Sequence, residues 1–385
     1  MKIPDVTATM PRSGIRAVMA RALLRDGCIR LELGEPDFPT PHNIVEAAVR
    51  AARDGHTKYT ATAGLPILRE ALSAKICERN GFQVPADRVL VSTGAVQGIY
   101  AALVGLVNPG DGILIPEPGW PNYRMMTHLL RARTQAYQLD PTDAYLPAVD
   151  ELESLVDEGT RAIVINSPSN PTGTVIPAPR MLEILDFAAR HDLWVVSDEC
   201  YDELTFQGPH VSAAALDDRD AVITVFSFSK TYAMTGWRVG YVAAPAAVAP
   251  MLANMHETMA SCVAMPTQLA ALEAVTGPQD AVRAMRSAYR DRRDAVLGRL
   301  SAHGIPAHHP QGAFYVWLDV SAANTDSSRL AFRLIEEEGV AVAPGTAFGA
   351  AATDRVRLSI AASESDLLEG VDRLSRLLSD VSLAT

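Results

Sequence analysis

Lysine is scarce in this chain. It occurs only at positions 2, 58, 75 and 230, so nearly all of the 34 basic residues are arginine. Where surface cations are written as arginine, a retained lysine points to an amine that must lose its proton and attack. Cysteine is sparse too. Cys28, Cys77, Cys200 and Cys262 show no CxxC spacing, which argues against a disulfide frame or a zinc site and suits reduced core thiols. The nine histidines contain no HExxH, and His308-His309 reads as a loop pair, so no metal site is expected. No apolar run approaches the length of a bilayer span; Ala101 to Val107 is too short. Met1 to Arg16 lacks the apolar core of a secretory signal, and the expected compartment is the cytoplasm. A net charge of -11 argues against a nucleic-acid surface, which is usually basic.

What is present suits a globular enzyme. The 385 residues are 48% hydrophobic and 21% charged, enough for one large domain and one smaller one. Short apolar runs ending in polar or turn residues recur at Val89–Ser92, Gly112–Pro116, Ala162–Asn166, Trp194–Asp198 and Val222–Phe226. Segments with helical spacing, such as Val96–Val107 and Met181–Arg190, lie between several of them. This alternation predicts an α/β fold with a largely parallel sheet covered on both faces. Ligands collect at the carboxyl ends of such strands, where Asn166, Asp198 and Ser227 fall. After about residue 275 the pattern changes to a long charged helix, Ala281–His303, strand candidates at Gly312–Leu318, Val340–Val342 and Val356–Ile360, and helices at Ser328–Glu338 and Glu364–Ser379. These predict a smaller α+β domain, with the first forty or so residues as an arm returning to it.

The most informative stretch is Val225 to Tyr241. Ser227-Phe228-Ser229-Lys230 follows a buried-strand run, and Arg238 comes eight residues after the lysine within Thr235-Gly236-Trp237-Arg238-Val239-Gly240-Tyr241. Such residues equip a lysine to bond a carbonyl beside groups that hold a phosphate; the competing reading is a surface lysine opening a helix. Four further segments join it. Asn166-Ser167-Pro168-Ser169-Asn170-Pro171-Thr172-Gly173 places two amides in a proline-set turn, with Asn170 able to donate to a phenolate-like oxygen. Asp198 ends an apolar strand and either meets a cation, such as a protonated pyridine nitrogen, or caps the next helix. Ser92-Thr93-Gly94-Ala95-Val96 runs from strand into helix, offering free N–H groups to an anion. Trp120, in a proline-rich loop, either stacks on a planar heterocycle or plugs the core edge.

Taken together, Asn170, Asp198, Tyr201, Lys230 and Arg238 resemble, in order and spacing, the fold-type-I pyridoxal-phosphate aminotransferases of classes I and II, the branch with bacterial aspartate and broad-range enzymes. The resemblance runs from Leu33-Gly34-Glu35-Pro36 through Tyr59 to Val356-Arg357-Leu358-Ser359. It implies an N-terminal arm with part of the small domain at 1–45, a large cofactor-binding domain at 46–275, its sheet of the seven-stranded type, and a small C-terminal domain at 276–385. It further implies that pyridoxal 5'-phosphate is held by Lys230 as an internal aldimine, with Asp198 on the ring nitrogen, Tyr201 and Asn170 on the ring oxygen and Trp120 on the ring face. The phosphate would meet Gly94, Ala95, Val96, Ser227, Ser229 and Arg238, and Tyr59 would reach it from the other subunit of a homodimer. Arg357, with Gly34 and Asn170, would grip the substrate α-carboxylate. Ile15 and Val96 stand where some dicarboxylate-preferring relatives have a polar residue and a lysine. The expected donor is therefore a neutral or aromatic amino acid, with aspartate-like donors open because Arg12 or Arg16 could serve, and the expected acceptor is 2-oxoglutarate. The same scaffold also supports β-elimination, decarboxylation or cyclisation. A non-enzymatic regulator is a remoter reading, as no basic helix-turn-helix is visible.

Overall fold

The computed structural model describes residues 3–383, with side chains through 379, and twelve strands in three sheets among them. In chain order these are β1 (Ile29–Arg30), β2 (Val89–Ser92), β3 (Gly112–Glu117), β4 (Arg133–Gln138), β5 (Thr160–Asn166), β6 (Trp194–Asp198), β7 (Val222–Ser227), β8 (Gly240–Ala243), β9 (Tyr315–Asp319), β10 (Val340–Ala341), β11 (Ala343–Pro344) and β12 (Arg355–Ser359). The large sheet has the order β2-β8-β7-β6-β5-β3-β4 and is parallel except for β8, which runs antiparallel to both neighbours. The expected seven-stranded, mostly parallel sheet is what forms.

Burial on both faces explains why its strands read as continuous apolar runs rather than alternating ones. Every residue of β2, β3, β7 and β8 is buried. Along β5 the pleat sends Ala162 and Val164 to one core and Ile163 and Ile165 to the other. Helices cover both sides, among them Ala95–Leu106 on one face and Ala178–Arg190 on the other. Proline at the first turn starts several of them without losing a needed donor, as at Pro66 and Pro121. The edge strand β4 alternates between exposed and buried positions, so it lacked an apolar run.

The other two sheets lie late in the chain. Strands β11, β12 and β9 form an antiparallel trio, and β1 pairs parallel with β10. The N-terminal segment thus returns to the C-terminal part of the fold. The Asp280–Ala302 helix buries Met285, Tyr289, Arg293, Val296 and Leu300 at three-and-four spacing, a stripe on the core beneath this region, while Val282 at its start packs with Phe226 and Tyr241. Two sequence expectations need correcting. The run Val340–Val342 is not one strand: only Val340–Ala341 is a strand, β10, and Val342 separates it from β11, which joins a different sheet. The cysteines are not core thiols: Cys77 is exposed, on the outer side of a turn whose Ile76 and Asn80 face in, and Cys28, Cys200 and Cys262 are only partly buried; all four are unbonded. Among the described residues, no helix is long and apolar enough to cross a membrane.

Candidate active site

Adjacent parallel strands end together at one edge of the large sheet. Asn166 closes β5 opposite Asp198, which closes β6, and Ser227 closes β7 beside them. A cavity of about 600 Å³ opens over these ends, a size that suits a cofactor and a small substrate. Its walls include Gly34, Ala95, Val96, Trp120, Asn170, Asp198, Tyr201, Ser227, Ser229, Lys230, Arg238 and Arg357. Of the sequence-predicted residues, Gly94 stands just behind the wall as the N-cap of the Ala95–Leu106 helix. Tyr59 lies apart, 87% exposed and lining no part of its own chain's cavity.

Lys230 sits in the short helix Phe228–Thr231, which Ser227 caps by accepting a 3.1 Å hydrogen bond from the Ser229 N–H. Its Nζ donates to the Gly34 carbonyl at 2.5 Å. Burial disfavours the ammonium, and Arg357 and Arg238 add to that, so the amine titrates at about 8 rather than in the ordinary lysine range. Lys75, the other buried lysine, behaves oppositely. Burial alone would lower it, but Asp202 and Glu203 beside it hold it above its ordinary value.

Asp198 is a buried carboxylate with no cation paired to it among the described residues. Its Oδ2 accepts from the Tyr123 hydroxyl at 2.6 Å and its Oδ1 from the Cys200 N–H at 3.2 Å. Burial nonetheless pushes its carboxyl up, and the neighbouring Glu199 contributes in the same direction. A ring nitrogen carrying a proton is the partner such a group lacks. Tyr201, buried as well, shares a 2.7 Å hydroxyl–hydroxyl bond with Tyr315.

The anion-binding elements are of two kinds. At the helix start, Gly94 takes φ 83°, and a Cβ there would stand 2.5 Å from Nη2 of Arg238. Only glycine lets the backbone and the guanidinium converge here. Arg238 itself holds a left-handed φ of 55° and donates from Nη1 to the Thr235 carbonyl at 2.7 Å. Arg357, by contrast, is buried at 2% exposure on β12. It donates to Asn170 Oδ1 at 2.9 Å and to the Glu32 carbonyl at 2.6 Å, and its guanidinium lies 4.2 Å from the Tyr315 ring centroid. Its Nε has no partner among the described residues, an unmet donor at the cavity. With its oxygen held by Arg357, Asn170 has its amide nitrogen left to donate.

Three contributors escaped the sequence reading. Tyr123, three residues past Trp120 in the Pro121–Leu129 helix, carries no signal of its own, yet its hydroxyl donates to Asp198. Tyr315 sits in an apolar strand run that carried no polar signal; a Cβ on Gly34 would fall 1.9 Å from its hydroxyl oxygen, so residue 34 must be small. Glu35 lines the cavity wall and accepts from the Thr235 hydroxyl.

A buried lysine with a lowered titration point, a buried carboxylate with no cation beside it among the described residues, and a glycine and an arginine converging at a helix start fit pyridoxal phosphate. Comparison with known proteins gives the family. Residues 26–374 match the model for aminotransferase class I and II. The aspartate/prephenate aminotransferase of Thermus thermophilus is 38% identical over 377 residues, covering 96% of this chain and 97% of the relative. The aromatic-amino-acid aminotransferase 2 of Thermococcus litoralis is 35% identical over 388 residues, covering all of both. Among solved structures, Thermus thermophilus aspartate aminotransferase with maleate superposes with a TM-score of 0.93 at 37% identity, covering 98% of this chain and 100% of that one. The chain belongs to the class I and II aminotransferase family, and it is a pyridoxal-phosphate-dependent transaminase.

Proposed function

We propose that the cavity over Asn166, Asp198 and Ser227 transfers the amino group of a neutral or aromatic amino acid to 2-oxoglutarate. When bound, pyridoxal phosphate supplies an aldehyde that takes up the amine and a protonated ring that withdraws electrons from the substrate α-carbon. Lys230 Nζ would hold that aldehyde carbon and, as a free amine, would carry the proton from the substrate α-carbon to the former aldehyde carbon. Asp198 would pair with the ring nitrogen, while Tyr201 and the Asn170 amide would donate to the ring oxygen. Trp120 would cover the ring face. Gly94, Ala95 and Val96 offer backbone N–H groups to the phosphate, with Ser227, Ser229 and Arg238 completing its shell. Arg357 orients the substrate α-carboxylate as a two-pronged donor, steadied by Asn170 and the Gly34 backbone.

The observation that carries this reading is the convergence of the low-titrating Lys230 with the buried Asp198 and two separately placed arginines, Arg238 and Arg357, on one cavity. Two anions, phosphate and carboxylate, need two cations, and each has one. The working unit in this reading is a homodimer, because the exposed Tyr59 reaches no site within its own chain. A groove lined by Met10, Val96, Met125, Leu129 and Met259 adjoins Arg238 and offers an apolar face for the second copy. The chain is divided as an arm at 1–45, a cofactor domain at 46–275 and a small domain at 276–385. The parallel pairing of β1 with β10 supports the arm's return to the small domain.

Adding an amino acid alone to the holoenzyme tests the reading. Conversion of the cofactor from its aldehyde to its amine form, with one equivalent of 2-oxo acid released, is the expected result. Release of pyruvate together with ammonia would instead assign β-elimination.

A further inference from the structure

Tyr315 lines the cavity and touches two of the groups that work there. It opens β9 and is buried at 2% exposure. The antiparallel register sets Tyr315 opposite Ser359 and Trp317 opposite Arg357. Tyr315 and Arg357 are therefore diagonal neighbours on one face of the three-stranded sheet, within reach of an aromatic ring and a long side chain. The guanidinium carbon of Arg357 lies 4.2 Å from the Tyr315 ring centroid and 4.9 Å from that of Phe348. At its other end, the Tyr315 hydroxyl makes one hydrogen bond among the described residues, at 2.7 Å to the hydroxyl of Tyr201. Gly34 packs against that same hydroxyl, and its carbonyl accepts from Lys230 Nζ. One phenol thus links the tyrosine assigned to the cofactor with the arginine assigned to the substrate.

We infer that Tyr315 is a positioning residue for both ends of the site: its O–H directs the Tyr201 hydroxyl at the cofactor ring oxygen, and its ring steadies Arg357 for the α-carboxylate. This rests on the transaminase reading of the same cavity. The direction of the phenol pair follows from counting donors. Each phenol has one O–H and can also accept. A Tyr201 that donates to the ring oxygen has no proton left for Tyr315, so the bond between them runs from Tyr315 to Tyr201. An O–H whose oxygen already accepts a hydrogen bond is the stronger donor, and the relay strengthens the contact to a negatively charged ring oxygen. Both phenols stay protonated, since burial pushes each above the ordinary range. The second arm acts on a cation. Arg357 bonds Asn170 and the Glu32 carbonyl while its Nε is unpartnered among the described residues. Attraction to the adjacent ring leaves this guanidinium less freedom to lose when a carboxylate arrives.

Phenylalanine keeps the ring and drops the hydroxyl, so substitution separates the two arms. The test compares wild-type holoenzyme with Tyr315→Phe, Tyr315→Leu, Tyr201→Phe and the double variant Tyr201→Phe/Tyr315→Phe. The first readout is the pH at which the visible absorbance of the bound cofactor changes, with no substrate present. A donor at the ring oxygen stabilises the charge left there when the nitrogen joining Lys230 to the cofactor loses its proton, and so lowers that midpoint. Tyr315→Phe should raise it by about 0.3 to 0.7 unit, the share of a charged hydrogen bond that cooperative strengthening supplies. Tyr201→Phe should raise it further, and the double variant no more than Tyr201→Phe alone, because Tyr315 acts through Tyr201. The second readout is half-reaction KM for the amino acid that wild type converts best. It should stay within about twofold in Tyr315→Phe and rise about 3- to 10-fold in Tyr315→Leu, the worth of a partly buried cation–ring contact. An unmoved midpoint in Tyr315→Phe, or a further full shift in the double variant, overturns the relay. Equal KM values for the two Tyr315 variants overturn the arginine arm. Either result alongside normal wild-type turnover counts against this inference alone, whereas a wild-type protein that takes up no pyridoxal phosphate overturns the transaminase reading beneath it as well.

Discussion

The phenol of Tyr123 donates a 2.6 Å hydrogen bond to Oδ2 of Asp198 where both are buried. This contact opposes burial, which pushes the Asp198 carboxyl towards its neutral form. A neutral acid cannot pair with a protonated ring nitrogen. Tyr123→Phe removes the O–H with little change in shape, so the carboxyl should move further up and hold the cofactor less well. Cofactor affinity, read by equilibrium dialysis with absorbance detection, should weaken about 10- to 100-fold, the worth of one hydrogen bond to a charged group. Unchanged affinity would mean that Tyr123 only fills space.

Lys230 carries a pH signature. Its amine titrates at about 8 because burial disfavours the charged form. Raising the pH through 8 therefore generates the neutral nucleophile, which at that pH is about half the population, against well under about 1% for an ordinary lysine. In the cofactor-free protein, modification of Lys230 by an amine-directed reagent, followed by peptide mass spectrometry, should rise with a midpoint near 8. Lys75 should stay unmodified there, since its ion pair with Asp202 favours the ammonium. A midpoint for Lys230 above about 10 would show that the site does not depress it. Lys230→Ala should abolish turnover and remain folded by circular dichroism, for the side chain's one protein hydrogen bond goes to the Gly34 carbonyl.

Arg357→Ala should raise KM for every amino acid, because the α-carboxylate is common to all of them. The expected rise is about 10- to 100-fold, matching the loss of a charged, two-pronged contact. The variant also strands the Asn170 oxygen and the Glu32 carbonyl, both of which now accept from Arg357. A lower melting temperature should accompany the kinetic change. A defect confined to one donor would contradict the common role.

Co-expression of Tyr59→Ala with Lys230→Ala tests the shared site. In a mixed dimer, one of the two sites pairs an intact lysine with an intact tyrosine from the other subunit. Activity should therefore exceed that of either variant expressed alone. If Tyr59 instead acts within its own chain, or plays no part, mixing restores nothing beyond the average of the two.

The large sheet was legible because burial on both faces leaves apolar runs in the sequence: β6, Trp194–Asp198, matches its run at both ends. Two of its strands were not. β4, Arg133–Gln138, is an edge strand in which only Gln135 and Tyr137 are buried, so no apolar run marks it. β8 is four residues long and starts at the end of the motif that carried the chemistry. The site divided similarly. Lys230, Asp198 and Arg357 announced themselves by residue type at strand ends or in dense motifs. Tyr123 and Tyr315 act through contacts with residues 75 and 114 positions away, which no local pattern encodes. Likewise no pattern tells that Arg16 lines the cavity and Arg12 does not.

The bond from Arg357 to the Glu32 carbonyl joins residues 325 positions apart, close to the two-residue pairing of β1 with β10. During translation, the arm that carries Arg16, Glu32 and Gly34 leaves the ribosome first. Glu32 must wait for the 325 positions up to Arg357 to be made, on the order of tens of seconds at ordinary elongation rates. The substrate end of the cavity is therefore the last part to be assembled. A nascent chain can build the large sheet before it can grip an amino acid, and a premature stop before Arg357 would leave that end unfinished.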